Sequence, residues 1–286
     1  MLEILNLSTE HLQEKGFENA RLNAERMLAH TLNLDRIELY LHFERPLTDG
    51  ELAGYRALLK RRITHEPLQY ILGETEFMSL PFKVDRRCLI PRPETEILVQ
   101  TVIDECTAHF GGNSELSILD IGTGSGNIAV TLANYLPNAR ITGLDCSDKA
   151  LAIAQENAFL NAVSNRIEWI QADAMQDDLH AKLGKSFHAI VSNPPYIPEN
   201  EYNHLPAEIR DFEPKLALQA GDDGLAFYKA IAPKLSALLL DSGFFAFEIG
   251  KGQAHHIKEL LSEVGISKTR KFTDLNNIYR FIVGKL

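Results

Sequence analysis

The spacing of apolar residues changes once along the chain. Up to about residue 75 apolar positions recur at helical spacing, as in residues 18–32, and a capping box at Thr48 opens a predicted helix that runs through Arg62. From residue 116 onward short apolar runs alternate with helical stretches, which is typical of a parallel, doubly wound sheet. The pattern predicts an N-terminal helical domain over 1–75 and an α/β domain over 92–286.

A short alternating segment lies between these two regions. Residues 76–90 alternate in a way that predicts a β-hairpin, so the linker is assigned to 76–91, with its turn at Leu80-Pro81. Pro93 stands where an N1 proline opens a helix, predicted over 94–110. Strands in the α/β domain are predicted at 117–121, 140–144, 166–171, 187–191, 243–249 and 278–283.

Four successive predicted strands end in glycine or polar residues, at the edge where open α/β sheets bind ligands. The first three endings carry Gly122, Thr123, Gly124, Ser125 and Gly126, then Asp145, then Asp173 with Ala174. The glycine spacing is G-x-G-x-G, and Asn127 stands where the third glycine of the G-x-G-x-x-G pyrophosphate-binding loop is expected. Asp145 is placed to accept hydrogen bonds from a ribose diol, and Asp173 to meet an adenine amino group. These residues predict a nucleoside site.

The fourth strand ends in Asn193-Pro194-Pro195-Tyr196. Two prolines fix two φ angles and remove two backbone donors, so the turn is rigid. It would hold the Asn193 amide oxygen and the Pro194 carbonyl as two fixed acceptors beside the Tyr196 ring. This arrangement suits a planar group that bears an NH2, such as a carboxamide or an exocyclic base amine. The plain alternative is a proline turn with Tyr196 packed on the surface.

A nucleoside site next to a binding site for an NH2 group suggests S-adenosylmethionine as cofactor and methyl transfer to nitrogen. Asn193 is expected to contact both the cofactor and the NH2 group. The segments Asp120–Gly126 and Asn193–Tyr196, with Asp145, resemble the class I methyltransferases that modify amide or exocyclic amino nitrogens. Residues 89–96, Leu-Ile-Pro-Arg-Pro-Glu-Thr-Glu, narrow the resemblance to the peptide chain release factor glutamine methyltransferases, the HemK/PrmC family. That resemblance runs from about Arg21 to the C-terminus.

The resemblance implies a Rossmann-like class I methyltransferase domain with a mostly parallel seven-stranded sheet, its last strand antiparallel at the far end. It also implies that the substrate is the glutamine in the Gly-Gly-Gln loop of a release factor. One glutamine cannot supply specificity, so the helical domain is the expected recognition element. Its basic residues Arg56, Lys60, Arg61 and Arg62 are interpreted as a solvated face, with a nucleic-acid contact as the alternative.

The expected chemistry follows from the amide nitrogen, whose lone pair is delocalised into the carbonyl. Two acceptors would hold both amide hydrogens and favour the positive charge that develops on nitrogen, while Tyr196 stacks on the amide plane. Arg92 either lines the cofactor pocket or braces the linker. Glu213 and Glu248 are expected to brace the substrate loop or the end of the fifth strand.

Composition excludes several other classes of protein. The chain has no apolar run long enough for a membrane helix, and its start lacks the features of a secretion signal. Three widely spaced cysteines favour a reducing cytoplasm over a disulfide framework, and the histidines lack metal-ligand spacing, so no metal is expected. A net charge of −10 opposes general nucleic-acid binding.

Two rival functions remain open from the sequence. A methyltransferase for adenine or guanine amino groups could use the same Asn-Pro-Pro-Tyr holder on a flipped base. A non-catalytic module could merely hold a nucleoside.

Overall fold

The computed structural model describes residues 1–111 and 114–286, and the chain divides into two compact units. Unit 1 comprises Met1–Gly73 together with Pro206–Phe212, and unit 2 comprises Glu74–Leu205 and Glu213–Leu286. The sequence pattern assigns Pro206–Phe212 to the α/β domain, but its contacts place it among the helices.

Unit 1 is built from α1 to α5 and a short helix from the returning segment: Leu2–Glu14, Ala20–Leu32, Arg36–Leu41, Asp49–Ile63, Leu68–Leu72 and Ala207–Arg210. The apolar positions of α1 to α5 meet in one core that includes Leu12, Met27, Leu28 and Tyr55. The Thr48 capping box forms as predicted, because the Thr48 hydroxyl accepts from the Glu51 N–H and the Glu51 carboxylate accepts from the Thr48 N–H.

The interpretation of the α4 basic residues as a solvated face is wrong for Arg62. Its guanidinium is 5% exposed and donates to Asn23 Oδ1 at 2.6 Å, the Glu66 carbonyl at 2.9 Å and Glu208 Oε1 at 2.6 Å. Arg61 pairs through two nitrogens with the Glu66 carboxylate. A buried guanidinium needs such partners, and two of those of Arg62, Asn23 and Glu208, are distant in the sequence, so charge patterning alone missed them.

Unit 2 begins with a two-stranded hairpin and continues as a doubly wound sheet. The strands, β1 to β9, are Glu74–Phe77, Leu80–Lys83, Leu116–Ile121, Ala139–Asp145, Ile167–Gln171, Phe187–Ser192, Leu239–Glu248, Lys268–Thr273 and Tyr279–Lys285. The longer helices α6 to α8 are Pro93–Phe110, Asn127–Tyr135 and Asp148–Leu160. Shorter helices lie at Leu179–Leu183, Glu199–Tyr202, Ala226–Ile231 and Leu235–Leu238, followed by Ala254–Glu263. Turns of 3₁₀ helix occur at Ser164–Arg166, Lys215–Ala217 and Ala232–Lys234.

The described part of the chain forms a seven-stranded sheet in the order β5-β4-β3-β6-β7-β9-β8. Strands β3 to β7 run parallel, and β9 and β8 pair antiparallel to their neighbours. Successive residues of the central strands point to opposite faces, with Ile118 and Val191 in one core cluster and Leu119 and Ile190 in the other. The predicted fold class is therefore confirmed.

The last strand is antiparallel as expected, but its predicted position at the far end of the sheet is wrong. β9 lies between β7 and β8, so β8 forms the edge. The sequence of β8, Lys-Thr-Arg-Lys-Phe-Thr, carries polar residues on both faces and buries none of them. An edge strand of this kind lacks the apolar alternation by which the other strands were predicted.

The hairpin turn also differs from the prediction. Phe77 pairs with Leu80, and the turn residues Met78 and Ser79 have φ values of 50° and 58°. Positive φ at both central positions is the geometry of a type I′ turn, which usually carries asparagine or glycine. Pro81 instead lies within β2, opposite Glu76. The turn was misplaced because proline is a stronger turn signal in a sequence than Met-Ser.

Candidate active site

The predicted glycine loop joins β3 to α7 at the carboxyl edge of the sheet. Gly122, Gly124 and Gly126 have φ values of 72°, 55° and 78°, a region that residues with a side chain rarely adopt. The N–H groups of Gly122 and Thr123 donate to the Leu144 carbonyl at 2.8 and 3.0 Å. The loop is thereby fixed to the end of β4.

Asp145 lies at that end of β4, beside the loop. Its Oδ2 accepts from the Gly124 N–H at 2.9 Å and its Oδ1 from the Ser147 N–H at 2.9 Å. Burial raises the pKa of this carboxyl, while the two backbone donors oppose that shift. Oδ1 also accepts from the Cys146 thiol at 3.8 Å, while Oδ2 keeps a further lone pair, so a held carboxylate stands where the sequence predicts a diol acceptor.

Two glycines near the loop are required by close packing against the Trp169 ring. A Cβ on Gly143 would lie 2.3 Å from Trp169 Cζ3, and a Cβ on Gly126 would lie 3.0 Å from the Ala154 Cβ and 3.2 Å from Trp169. The Trp169 ring therefore fills the space over β4 that a side chain at position 143 would occupy. Sequence reasoning assigned no role to Gly143 or Trp169.

Asp173 and Ala174 follow β5, as predicted. The Asp173 carboxylate accepts from Gln176 Nε2 at 3.1 Å and from the Met175 N–H at 2.9 Å, and these bonds lower its pKa. Ala174 is buried, and the Met175 side chain is half exposed. Asp173 is thus an ionised carboxylate at the third strand end, whose described bonds go to its own turn.

Asp120 is an acidic residue of this edge to which the sequence analysis gave no separate role. It is fully buried, and its Oδ2 accepts from Thr123 Oγ1 at 2.6 Å and from the Ala129 N–H at 3.1 Å. Its Oδ1 has no hydrogen-bond partner among the described residues, and burial raises the pKa of Asp120 to about 7. An orphaned buried acceptor beside a glycine loop fits a ligand that brings a donor. Its place in the Asp-x-Gly-x-Gly-x-Gly run was the available sequence signal.

Asn193 follows β6 directly. Its Nδ2 donates to Thr95 Oγ1 at 3.0 Å. Within the described chain, neither Asn193 Oδ1 nor the Pro194 carbonyl accepts a hydrogen bond. Both predicted acceptors therefore lack a hydrogen-bond donor within the described chain.

Glu248, the last residue of β7, connects both ends of the tetrapeptide. Its Oε2 accepts from Thr95 Oγ1 at 2.6 Å and its Oε1 accepts from the Tyr196 hydroxyl at 3.4 Å. Burial raises the pKa of Glu248 to about 7. Tyr228 donates its hydroxyl to the Glu248 carbonyl at 2.6 Å. The predicted bracing by Glu248 is observed as these contacts, whereas Thr95 was missed.

The backbone that follows the two prolines is also fixed. Gln253 Nε2 donates to the Tyr196 carbonyl at 2.9 Å and to the Gly224 carbonyl at 3.2 Å. Ile197 pairs through its N–H with the Leu218 carbonyl and through its carbonyl with the Ala220 N–H, both at 2.9 Å. The Asn-Pro-Pro-Tyr segment is therefore held from both sides.

Arg92 forms an ion pair with Glu213, at 2.5 Å between Nη2 and Oε1. Glu213 is buried, and its Oε2 accepts from the Ile90 N–H at 3.3 Å. These contacts join the segment before α6 to Glu213, which lies in the connection between β6 and the helix Ala226–Ile231. They correspond to the bracing interpretation of Arg92.

Three wider features bear on the classes of protein considered from the sequence. Across residues 1–111 and 114–286, no group of three or more His, Cys, Asp or Glu side chains is arranged to hold a metal ion. None of the described helices combines the length and apolar character needed to cross a bilayer. The three cysteines form no disulfide among the described residues, with Cys88 and Cys106 buried and Cys146 exposed.

Comparisons with known proteins agree with this architecture. Residues 3–73 match the PrmC N-terminal domain family, and residues 118–212 match a methyltransferase domain family. Among solved structures, the hMettl16 catalytic domain in complex with MAT2A 3'UTR hairpin 6 aligns with a TM-score of 0.57 at 18% identity, over 80% of this chain and 81% of that chain. A methyltransferase from Pyrococcus furiosus aligns with a TM-score of 0.52 at 17% identity, over 82% and 97%. At such identities the likeness concerns the fold alone.

Sequence relatives are much closer. The release factor glutamine methyltransferase of Chlorobaculum tepidum is 41% identical over 98% of this chain and 95% of its own length. The protein of the same name from Geobacter sulfurreducens is 40% identical over 99% and 96%, and that from Vibrio cholerae 40% over 91% and 88%. At this identity over nearly the full length of both chains, the protein belongs to the release factor glutamine methyltransferase family.

Proposed function

We propose that this chain transfers a methyl group from S-adenosylmethionine to the side-chain amide nitrogen of the glutamine in the Gly-Gly-Gln motif of a peptide chain release factor. The observation that carries the proposal is the pair of open acceptors at Asn193 Oδ1 and the Pro194 carbonyl, in a segment held on both sides. Two fixed acceptors match the two hydrogens of a primary carboxamide.

Residues at the ends of β3, β4 and β5 would hold the cofactor: Gly122, Thr123, Gly124, Ser125, Gly126, Asp145, Asp173 and Ala174. Asp145 would accept from the ribose hydroxyls and Asp173 from the adenine amino group. The orphaned Asp120 Oδ1 fits a donor from the ligand. When bound, the cofactor supplies an electrophilic methyl group on a sulfonium sulfur.

The side chains at the tetrapeptide would orient the substrate amide. Asn193 Oδ1 and the Pro194 carbonyl would accept its two hydrogens, which directs the nitrogen lone pair and stabilises the positive charge that develops there. Pro195 keeps the segment rigid. Tyr196 is tied by its hydroxyl to Glu248, so its ring would form a fixed wall against the amide plane. No side chain is required to remove a proton before transfer, because the charged product loses one readily.

We further propose that unit 1 recognises the release factor, since the chemistry requires only residues of unit 2. The basic residues of α4 are a smaller part of that surface than the sequence indicates, because Arg62 is buried. Arg56, Lys60 and Arg61 are exposed, and Arg61 is paired with Glu66. Cysteines that form no disulfide among the described residues are consistent with work in the reducing cytoplasm.

The test is transfer of a labelled methyl group to a purified release factor, with RNA and DNA assayed in parallel. We expect label on the glutamine of the Gly-Gly-Gln motif, and none after Asn193→Ala, although that variant still binds cofactor. Label on adenine or guanine instead would establish the nucleic-acid alternative. Cofactor binding without methyl transfer to release factor, RNA or DNA would indicate a non-catalytic binding module.

A further inference from the structure

The carboxamide of Asn193 has one accepting end and one donating end, and only one orientation serves the proposed function. With Oδ1 toward the substrate, the enzyme offers an acceptor to the amide hydrogens. With Nδ2 toward the substrate, two NH2 groups would meet, and neither could accept. The Asn-Pro-Pro-Tyr backbone fixes where the side chain begins but not which end of it faces the site.

Hydrogen counting around Thr95 decides that orientation. The Thr95 hydroxyl has a single hydrogen, and Glu248 Oε2 lies 2.6 Å away to accept it. Once that hydrogen is committed, Thr95 Oγ1 can only accept from Asn193, 3.0 Å away. Asn193 must then present Nδ2 to Thr95, which leaves Oδ1 for the substrate.

The groups around Glu248 support its role as the acceptor in this chain. Burial raises the pKa of Glu248 to about 7 and Glu94 adds to that shift, while the hydrogen bond from Thr95 and the charge of Arg280 on β9 favour the ionised carboxylate. Above that pH the carboxylate carries no proton and can only accept from Thr95. The Tyr196 and Tyr228 hydroxyls both donate toward this residue, the first to Oε1 and the second to its backbone carbonyl. Each oxygen of the carboxylate thus faces a hydroxyl donor, Thr95 at Oε2 and Tyr196 at Oε1.

We propose that Thr95, oriented by Glu248, is a positioning residue that fixes the Asn193 carboxamide with its oxygen toward the substrate amide. The inference rests on the proposed function, in which Asn193 accepts from that amide. Thr95 itself does not touch the reacting atoms. Its effect is to keep Asn193 from populating the orientation that cannot accept.

The first experiment compares Thr95→Val with Thr95→Ser, using the full-length enzyme and intact release factor at saturating cofactor. Valine keeps the shape and removes the hydroxyl, so kcat should fall by about 10- to 100-fold while cofactor affinity stays within about threefold. Serine keeps the hydroxyl and should restore kcat. Thr101→Val is the matched control, because Thr101 lies on the same helix and donates only to the Ile97 carbonyl of that helix. It should keep normal kcat.

Unchanged kcat in Thr95→Val would overturn the proposal, as would equal losses in the valine and serine variants, which would indicate packing rather than hydrogen bonding. A second measurement does not depend on turnover. The Asn193 side-chain amide signals, assigned as the nitrogen–proton peaks missing from Asn193→Asp, should show a nuclear Overhauser contact with Thr95. Absence of that contact in the folded wild-type protein would also overturn the proposal.

These outcomes separate the inference from the proposed function. If wild-type enzyme methylates no release factor, or if Asn193→Ala is fully active, the proposed function fails whatever Thr95 does. If wild type is active and Asn193→Ala is not, a fully active Thr95→Val removes only the positioning role.

Discussion

Single carboxyl groups at the sheet edge differ in what surrounds them, and their expected roles follow from that difference. Asp145 is held by two backbone N–H groups, while Asp120 and Glu248 are buried with pKa values raised to about 7. Burial raises the pKa of all three carboxyls, but at Asp145 the two backbone donors oppose that shift, so Asp145 is the one best suited to accept from a ligand.

Asp145→Ala should weaken S-adenosylmethionine binding by more than tenfold. The variant would leave the ribose diol without its acceptor, a loss of about 1–3 kcal/mol. Calorimetric titration with the cofactor measures the change. Asp148→Ala is a suitable control, because Asp148 is exposed in the first turn of α8 nearby. Equal affinity in wild type and Asp145→Ala would remove Asp145 from the site.

Glu248→Gln should flatten the dependence of stability on pH. The pKa of Glu248 is about 7 in the folded protein against an ordinary 4.5, so the folded state holds its proton more tightly than the unfolded state. Its contribution is fully present below the ordinary pKa and is lost as pH rises through about 7. The free energy of unfolding of wild type minus that of Glu248→Gln should therefore fall between about pH 5 and 8.

Urea unfolding at several pH values gives this difference directly. Asp120 has a similar shift, but it is present in both proteins and cancels. Parallel curves for the two proteins would show that Glu248 titrates normally in the folded state.

At the scale of elements, the site depends on how closely β4 and β5 approach the glycine loop. Trp169 on β5 lies over Gly143 on β4 and also contacts the position of Gly126. The ring thereby links two strands and the loop. A side chain inserted beneath it would disturb all three.

Gly143→Ala should destabilise the protein by about 1–3 kcal/mol through overpacking, because the rigid indole ring has to move. The change is measurable by urea unfolding, and Trp169 is the chain's single tryptophan, so its fluorescence should also shift. Gly50→Ala serves as the control. It lies in the first turn of α4 with open space around its Cα, so alanine should be neutral or slightly stabilising. Similar stability changes in both variants would contradict the packing argument.

At the scale of the whole molecule, the division of labour between the two units concerns specificity. The chemistry proposed for unit 2 needs only a carboxamide, which every glutamine carries. Deleting Met1–Gly73 would also strip the returning segment Pro206–Phe212 of its partners, including the Arg62 contact with Glu208. Recognition is better tested by shortening the substrate.

Short peptides that contain the Gly-Gly-Gln motif should be poor substrates compared with the intact release factor. They forgo the binding energy of remote contacts, part of which serves to orient the reacting amide, so both kcat and kcat/KM should fall. Steady-state kinetics with the two substrates provides the measurement. Equal kcat/KM for peptide and protein would leave unit 1 without a recognition role.

Much of this molecule was predictable because its signals are local. The strand endings, the Pro93 helix start and the Thr48 capping box depend on neighbouring residues, so the fold class and the family could be predicted and are confirmed. The order of the last two strands was not predicted correctly, because β8 lacks apolar alternation. The hairpin turn was misplaced, because Met78 and Ser79 are not typical turn residues.

The amino-acid sequence by itself determined which chemical groups stand at the sheet edge, since parallel strands bring their carboxyl ends together wherever they pair. Only the tertiary structure decided how those groups are oriented. Asn193 lies 98 residues after Thr95 and Glu248 lies 153 residues after it, yet hydrogen bonds connect all three side chains. Directions of hydrogen bonds and the burial of Arg62 depend on partners that only folding brings together.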